Sequence, residues 1–141
     1  VGIESTIINL IERPEILRLG GVENSKIKKI IKKPLKININ PSKKNAPGQS
    51  KLHYSPGIPL RMNANKSRKG EAYVALKKTN IKHKDFFYLS KKGNLNEIAK
   101  NLYSILRKIK KNGYKSVAVE KINNYGLGQS INDRLIRASK K

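Results

Sequence analysis

From Pro34 to about Gly70 the chain carries no hydrophobic period, and this gap limits what its 141 residues can build. Pro41, Pro47, Pro56 and Pro59 punctuate it, together with Gly48 and Gly57, and each breaks or resets the local backbone. At roughly 37 residues it far exceeds the usual ~4–6 residue connection, and segments of that length are functional or disordered. The chain therefore reads as two patterned pieces joined by an irregular one. Inside the gap, Ala46-Pro-Gly-Gln-Ser-Lys-Leu-His-Tyr-Ser-Pro56 sets an imidazole, a phenol and hydroxyls on a backbone stiffened by prolines. It is either an idle linker or a lid over a site.

The first piece alternates. Ile3, Thr6, Ile7, Ile8 and Leu10 suit a buried strand over residues 1–10, because β-branched residues repeating at short spacing fit a pleated surface. Arg13-Pro14 breaks it, and Glu15–Leu19 forms a second short strand ended by Gly20-Gly21. Two strands alone do not hold together in water, so they call for a sheet that lies elsewhere. The chain opens at Val1, already in strand pattern, and the expectation is that this start is a cut. Ile27, Ile30 and Ile31 then predict a helix over 23–33, capped by Asn24 or Ser25 and stopped by Pro34.

The second piece begins after Gly70. Glu71–Leu76 and Asp85–Ser90 read as strands. Leu95, Ile98, Leu102, Ile105, Leu106 and Ile109 mark one face of a long amphipathic helix, closed by Asn112-Gly113. Ser116–Glu120 is a buried strand, and Gly126-Leu127-Gly128 opens a last helix with Leu127, Ile131, Leu135 and Ile136 inward. Strand, strand, helix, strand, helix predicts an α/β layer: a small parallel sheet with flanking helices, parallel because its crossovers are helical.

The formal net charge is +23. A polyanion such as tRNA or a nucleotide is one reading. Codon bias is the other, because Lys outnumbers Arg 25 to 7 and the lysines run along the whole chain, whereas specific phosphate contacts favour the Arg fork. On the second reading, weak nonspecific tRNA binding is a by-product. With no Cys there is neither a disulfide framework nor a thiolate zinc site. No apolar run approaches the ~20 residues that cross a bilayer, and no signal peptide pattern is visible. The expectation is a cytoplasmic protein without a membrane partner.

Few side chains point to chemistry. Ser5-Thr6 at a strand end can bind a carboxylate or phosphate, or be ordinary strand residues. Arg18 beside Leu19-Gly20-Gly21 can grip an anion while the backbone approaches closely, or it is a surface Arg before a turn. His53-Tyr54 can hydrogen-bond phosphate or stack on a base, or Tyr54 packs the loop on a core. His83 reads as surface. Gly126-Leu-Gly128 reads as a tight turn, and Asp133 with Arg137 as a surface i, i+4 pair worth ~0.3–0.5 kcal/mol. No carboxylate pair reads as a general acid and base, so no catalytic or metal-binding residue is assigned.

Five segments in order resemble the C-terminal half of the Sua5/YrdC-type threonylcarbamoyl-AMP synthases: Gly2–Leu10, Ile16–Gly21, Ala46-Pro-Gly-Gln with His53-Tyr-Ser-Pro56, Asn101–Arg107, and Gly126–Leu135. The resemblance implies an ATP-dependent nucleotidyltransferase. Such enzymes join L-threonine, bicarbonate and ATP, with Mg²⁺ on the ATP, into threonylcarbamoyl-AMP and pyrophosphate for the t6A modification at position 37 of tRNA. It implies that residues 1–33 are the end of a YrdC-like catalytic domain, 34–70 the linker across its cavity, and 71–141 a Rossmann-like Sua5 domain. Ser5 and Thr6 look like the hydroxyl pair of the threonine and nucleotide pocket. Arg18 looks like the arginine that reaches substrate phosphate, and His53 and Tyr54 like the linker pair that closes over ATP. The family's basic N-terminal Lys and Arg motif has no counterpart here, so the chain alone is expected to be inactive and to need a YrdC-like half as partner. A stand-alone basic RNA-binding module without catalysis is the alternative.

Overall fold

The computed structural model describes residues 2–40, 46–47, 54–81 and 83–140. His53 lies outside the described residues. Strand β1 (Ile7–Asn9) pairs antiparallel with β2 (Glu15–Arg18), Ile8 facing Ile16 and Asn9 facing Glu15. The register slips by one residue between Ile7 and Ile8, which brings Ile7 opposite Arg18. Helix α1 (Asn24–Ile31) follows, and β3 (Lys36–Ile37) adds parallel to β2. A small core of Ile16, Leu19 and Ile27, flanked by Ile8, Ile31, Leu35 and Ile39, holds these pieces together. The expected strand over 1–10 is shorter than its pattern. Ile3 turns away into the core of the second body, and Leu10 is exposed.

The second body is built on β4 (Leu60–Arg61), β5 (Ala72–Lys77), β6 (Phe86–Ser90), helix α2 (Leu95–Lys111), β7 (Val117–Val119) and helix α3 (Leu127–Ser139). Its strands are all parallel, in the order β4-β7-β5-β6. Helix α2 starts where the Asn94 side chain accepts from the N–H groups of Asn96 and Glu97, which satisfies donors the first turn leaves open. Its apolar stripe buries Ile98, Leu102, Leu106 and Ile109 in one core with residues of β5, β6 and β7, and the helix packs on β6 and α3.

Three local expectations change. The link from β5 to β6 contains no helix among its described residues, although the two strands are parallel neighbours. Strands β3 and β4 fall inside the stretch that showed no period; at two residues each, they are too short to show one. The α1 cap is Glu23 in extended backbone, while Asn24 is buried and donates to Gln129 Oε1 across the molecule (2.8 Å).

Helix α3 joins the two bodies. Leu127, Ile131 and Leu135 enter the larger core, but Ile136 is 46% exposed. At 100° per residue the stripe through 127 and 131 continues to 134, 135 and 138. The inward place next to Leu135 therefore belongs to Arg134. The turn before α3 needs both its glycines. Gly126 has φ +51, and a Cβ on Gly128 would stand 2.1 Å from the Asn123 carbonyl oxygen.

Candidate functional site

Arg18 closes β2 with its side chain over the segment that enters β1. Its Nε donates to the Ser5 carbonyl (3.0 Å), one terminal nitrogen to Ser5 Oγ (3.2 Å), and the other to the Pro47 carbonyl (3.3 Å). Ser5, Arg18 and Pro47 of the irregular segment thus meet at one guanidinium. Thr6 is beside them but differently employed: its hydroxyl donates to the Val22 carbonyl (3.1 Å) and accepts from the Val22 N–H (3.3 Å). This close approach depends on Gly20, where a Cβ would lie 2.2 Å from the Thr6 nitrogen and 2.4 Å from the Glu4 carbonyl oxygen.

Tyr54 is buried one layer further in. It stacks on Tyr103 of α2 with ring centres 5.5 Å apart and an 18° angle between planes, and the Arg134 guanidinium carbon lies 4.8 Å from its ring centre. Burial pushes the Tyr54 hydroxyl up to about 12, with Arg134 opposing and Glu4 adding to the rise; Arg18 is near enough to act on it too. Burial works to raise the Glu4 carboxyl as well. Its own backbone N–H, the Arg134 charge and the Tyr54 hydroxyl outweigh that and hold it below the usual carboxylate value. Burial also raises the Tyr103 phenol.

Arg134 is fully buried. Nε and one terminal nitrogen donate to Glu4 Oε2 (3.1 and 3.0 Å), and that same nitrogen donates to the Leu19 carbonyl (2.7 Å). The other terminal nitrogen donates to Asp133 Oδ2 (2.7 Å), which also accepts from Arg137 Nε (3.1 Å). Arg137 in turn donates to the Ile39 carbonyl (2.8 Å). Asp133 and Arg137 are therefore not a surface pair: both are buried, at 6% and 3% exposure. A cleft of about 270 Å³ opens beside this network, lined by Glu4, Tyr54, Ser55, Pro56, Tyr103, Leu106 and Arg107.

The sequence reading singled out Ser5, Thr6, Arg18 and Tyr54. The fold brings Ser5 and Arg18 into contact, keeps Thr6 next to them, and seats Tyr54 against Glu4, the neighbour of Ser5. The sequence reading missed Glu4, Tyr103 and Arg134. The signal for Arg134 was its place on the apolar stripe of α3, where a charge needs buried partners. His83, read as surface, is exposed, with Nδ1 accepting from the Asp85 N–H.

A family model for the threonylcarbamoyl-AMP synthase C-terminal domain matches residues 22–140. The chain belongs to this family. It is 28% identical over 162 residues to the threonylcarbamoyl-AMP synthase of Pyrococcus abyssi, an alignment covering 99% of this chain and 46% of that protein. With the threonylcarbamoyl-AMP synthase of Bacillus subtilis it shares 24% identity over 159 residues, covering 99% and 46%. The crystal structure of P. abyssi Sua5 complexed with L-threonine superposes with a TM-score of 0.79 at 26% identity, over 97% of this chain and 46% of that one. A P. abyssi Sua5 variant with an adjacent His and Tyr replaced by Ala superposes at 0.75, also at 26% identity, covering 98% and 45%. The chain spans about half the length of the curated relatives it matches. Its four-stranded parallel sheet with flanking helices is the fold of these synthase structures.

Proposed function

We propose that this stretch serves as the C-terminal portion of an L-threonylcarbamoyladenylate synthase. The reaction joins L-threonine, bicarbonate and ATP into threonylcarbamoyl-AMP, releases pyrophosphate, and feeds the t6A modification at position 37 of tRNA. Mg²⁺ enters on the ATP phosphates as part of the substrate. Residues 1–33 close a YrdC-like catalytic domain, 34–70 are the linker that lies across its cavity, and 71–141 are the Sua5 domain. Ser5, Thr6 and Arg18 meet the substrate's anionic groups, and His53 and Tyr54 cover them. The chain has one adjacent His-Tyr pair, His53-Tyr54, and we take it as the counterpart of the pair altered in the P. abyssi variant.

The observation that carries this reading is the Arg18 fork. It reaches Ser5 and the Pro47 carbonyl of the linker at once, so an anion exchanged for the linker carbonyl would meet a planar, permanently charged donor set. A cover there also makes chemical sense, because a mixed anhydride must be kept from water. The exposed apolar side chains of Leu10, Ile11, Val22 and Ile30 on the small body support a covering catalytic half.

In this reading the 141 residues alone make no product. Pyrophosphate release is measured with L-threonine, bicarbonate, ATP and Mg²⁺, first on this chain and then with a YrdC-like half added. Turnover only in the second case is expected; turnover by the chain alone at the rate of a full-length relative would refute the division of labour.

One observation favours the RNA-binding alternative. Among the described residues Lys36 is the only lysine in an ion pair, so a basic surface faces solvent. Binding of tRNA that keeps its strength as salt rises, with a base preference, would favour that reading.

A further inference from the structure

The Arg134 guanidinium touches a sequence neighbour of three candidate binding residues, Ser5, Arg18 and His53. Glu4 precedes Ser5, Leu19 follows Arg18, and Tyr54 follows His53; Arg134 bonds the first two and lies over the ring of the third. These contacts reach back across 130 and 115 positions in sequence, from a helix of the second body to the strand ends of the first. We infer that Arg134 is a positioning residue for the anion site, fixing the distance between the Ser5–Arg18 pair and Tyr54 of the linker. The inference rests on the proposed function and deepens it by giving the Sua5 domain a part in shaping the site.

The chemistry of the side chain supports this. A planar guanidinium offers donors in a rigid fork, and here Nε and both terminal nitrogens are used at once, in three directions. Asp133 holds the plane in place and is itself held by Arg137. Rotating α3 would therefore shift Glu4 and Leu19 together, and with them the backbone that carries Ser5 and Arg18. A lysine in the same place has the charge without the fork. A group that only filled space or balanced charge would not need to link these three neighbours.

The test is arginine side-chain NMR on the 141-residue chain, whose seven arginines give a sparse Nε–H spectrum. Arg134→Lys is compared with Ile109→Ala, a variant on α2 in the larger core, at equal loss of melting temperature. Arg134→Lys is expected to move the Arg18 Nε–H resonance and to weaken inorganic pyrophosphate binding by roughly tenfold to a hundredfold, the size expected from a misplaced site. Ile109→Ala is expected to do neither. An unmoved Arg18 resonance, an unchanged dissociation constant, or an equal effect in Ile109→Ala would overturn the inference. If Arg134→Lys fails to fold, Glu4→Gln leaves the guanidinium in place and weakens its contact with the neighbour of Ser5; it is expected to move the same resonance, and an unmoved one overturns the inference. If the wild-type chain binds no pyrophosphate, the anion-site reading falls, and the Arg18 resonance alone decides the positioning role.

Discussion

Arg134 and Tyr54 form a cation–π contact, 4.8 Å from guanidinium carbon to ring centre, in which the cation is wholly removed from water. Desolvation strengthens such a contact, because no water competes for the charge. It joins the last helix of the chain to the middle of the irregular segment, so the linker is anchored where the two bodies meet.

Replacing Tyr54 by Leu should therefore cost about 2 kcal/mol, the range for a desolvated cation–π contact, with the Tyr103 stack lost as well. Tyr54→Phe keeps the ring and should cost less. Urea unfolding midpoints of the two variants check the order.

Asp133 separates two magnitudes. As a surface partner of Arg137 its removal would cost ~0.3–0.5 kcal/mol. As a buried carboxylate between Arg134 and Arg137, its replacement by Ala should cost about 3–5 kcal/mol, because two buried cations lose the carboxylate they share, although Arg134 keeps Glu4. Denaturant unfolding of Asp133→Ala distinguishes the two without ambiguity.

Gly20→Ala places a methyl group 2.2 Å from the Thr6 nitrogen and 2.3 Å from the Ser5 carbonyl carbon. Backbone on both sides must separate, at about 1–3 kcal/mol, the usual cost of overpacking. The Ser5–Arg18 contact should open with it, so the variant should lose pyrophosphate binding as well as stability. Calorimetric titration with pyrophosphate checks the first, and a thermal melt the second.

The acid and base limits follow from opposite signs. Glu4 and Glu71 are held below the usual carboxylate value: for Glu71, burial raises it and is outweighed by the Arg61 hydrogen bond, the Arg68 N–H and the nearby charges. A lowered folded value means stability that is complete above the unfolded value of about 4.3 and is lost as pH falls through the folded one. Tyr54 is raised to about 12, so its contribution is complete below its unfolded value of about 10 and is lost as pH rises from there towards 12. Urea midpoints measured against pH should fall at both ends, and Tyr54→Phe should remove part of the alkaline fall and, because its hydroxyl helps hold Glu4 low, a smaller part of the acid fall.

Much of the second body was legible in the sequence because its signals are local and repeated. The α2 stripe with its Asn112-Gly113 stop, the strand at Val117–Val119 and the glycine turn before α3 each follow from rules spanning a few residues. The two-residue strands β3 and β4 were not legible, since a period needs more residues than they have and their partners lie far away in the chain. Among the site residues, Arg18 was marked by the glycines after it, whereas Glu4 looked like any strand residue. Its role appears only when Arg134 arrives from 130 positions away.

By itself, the sequence determined the order and kind of the main elements, the irregular segment between them, and the family to which they belong, because hydrophobic period, turn chemistry and motif order are written along the chain. Only the tertiary structure decided that α3 turns Asp133, Arg134 and Arg137 inward. Their spacing on the helix is the same for a solvated face as for a buried one. What distinguishes the two is whether carboxylates and carbonyls from distant segments come within hydrogen-bond reach, and that depends on how the bodies pack.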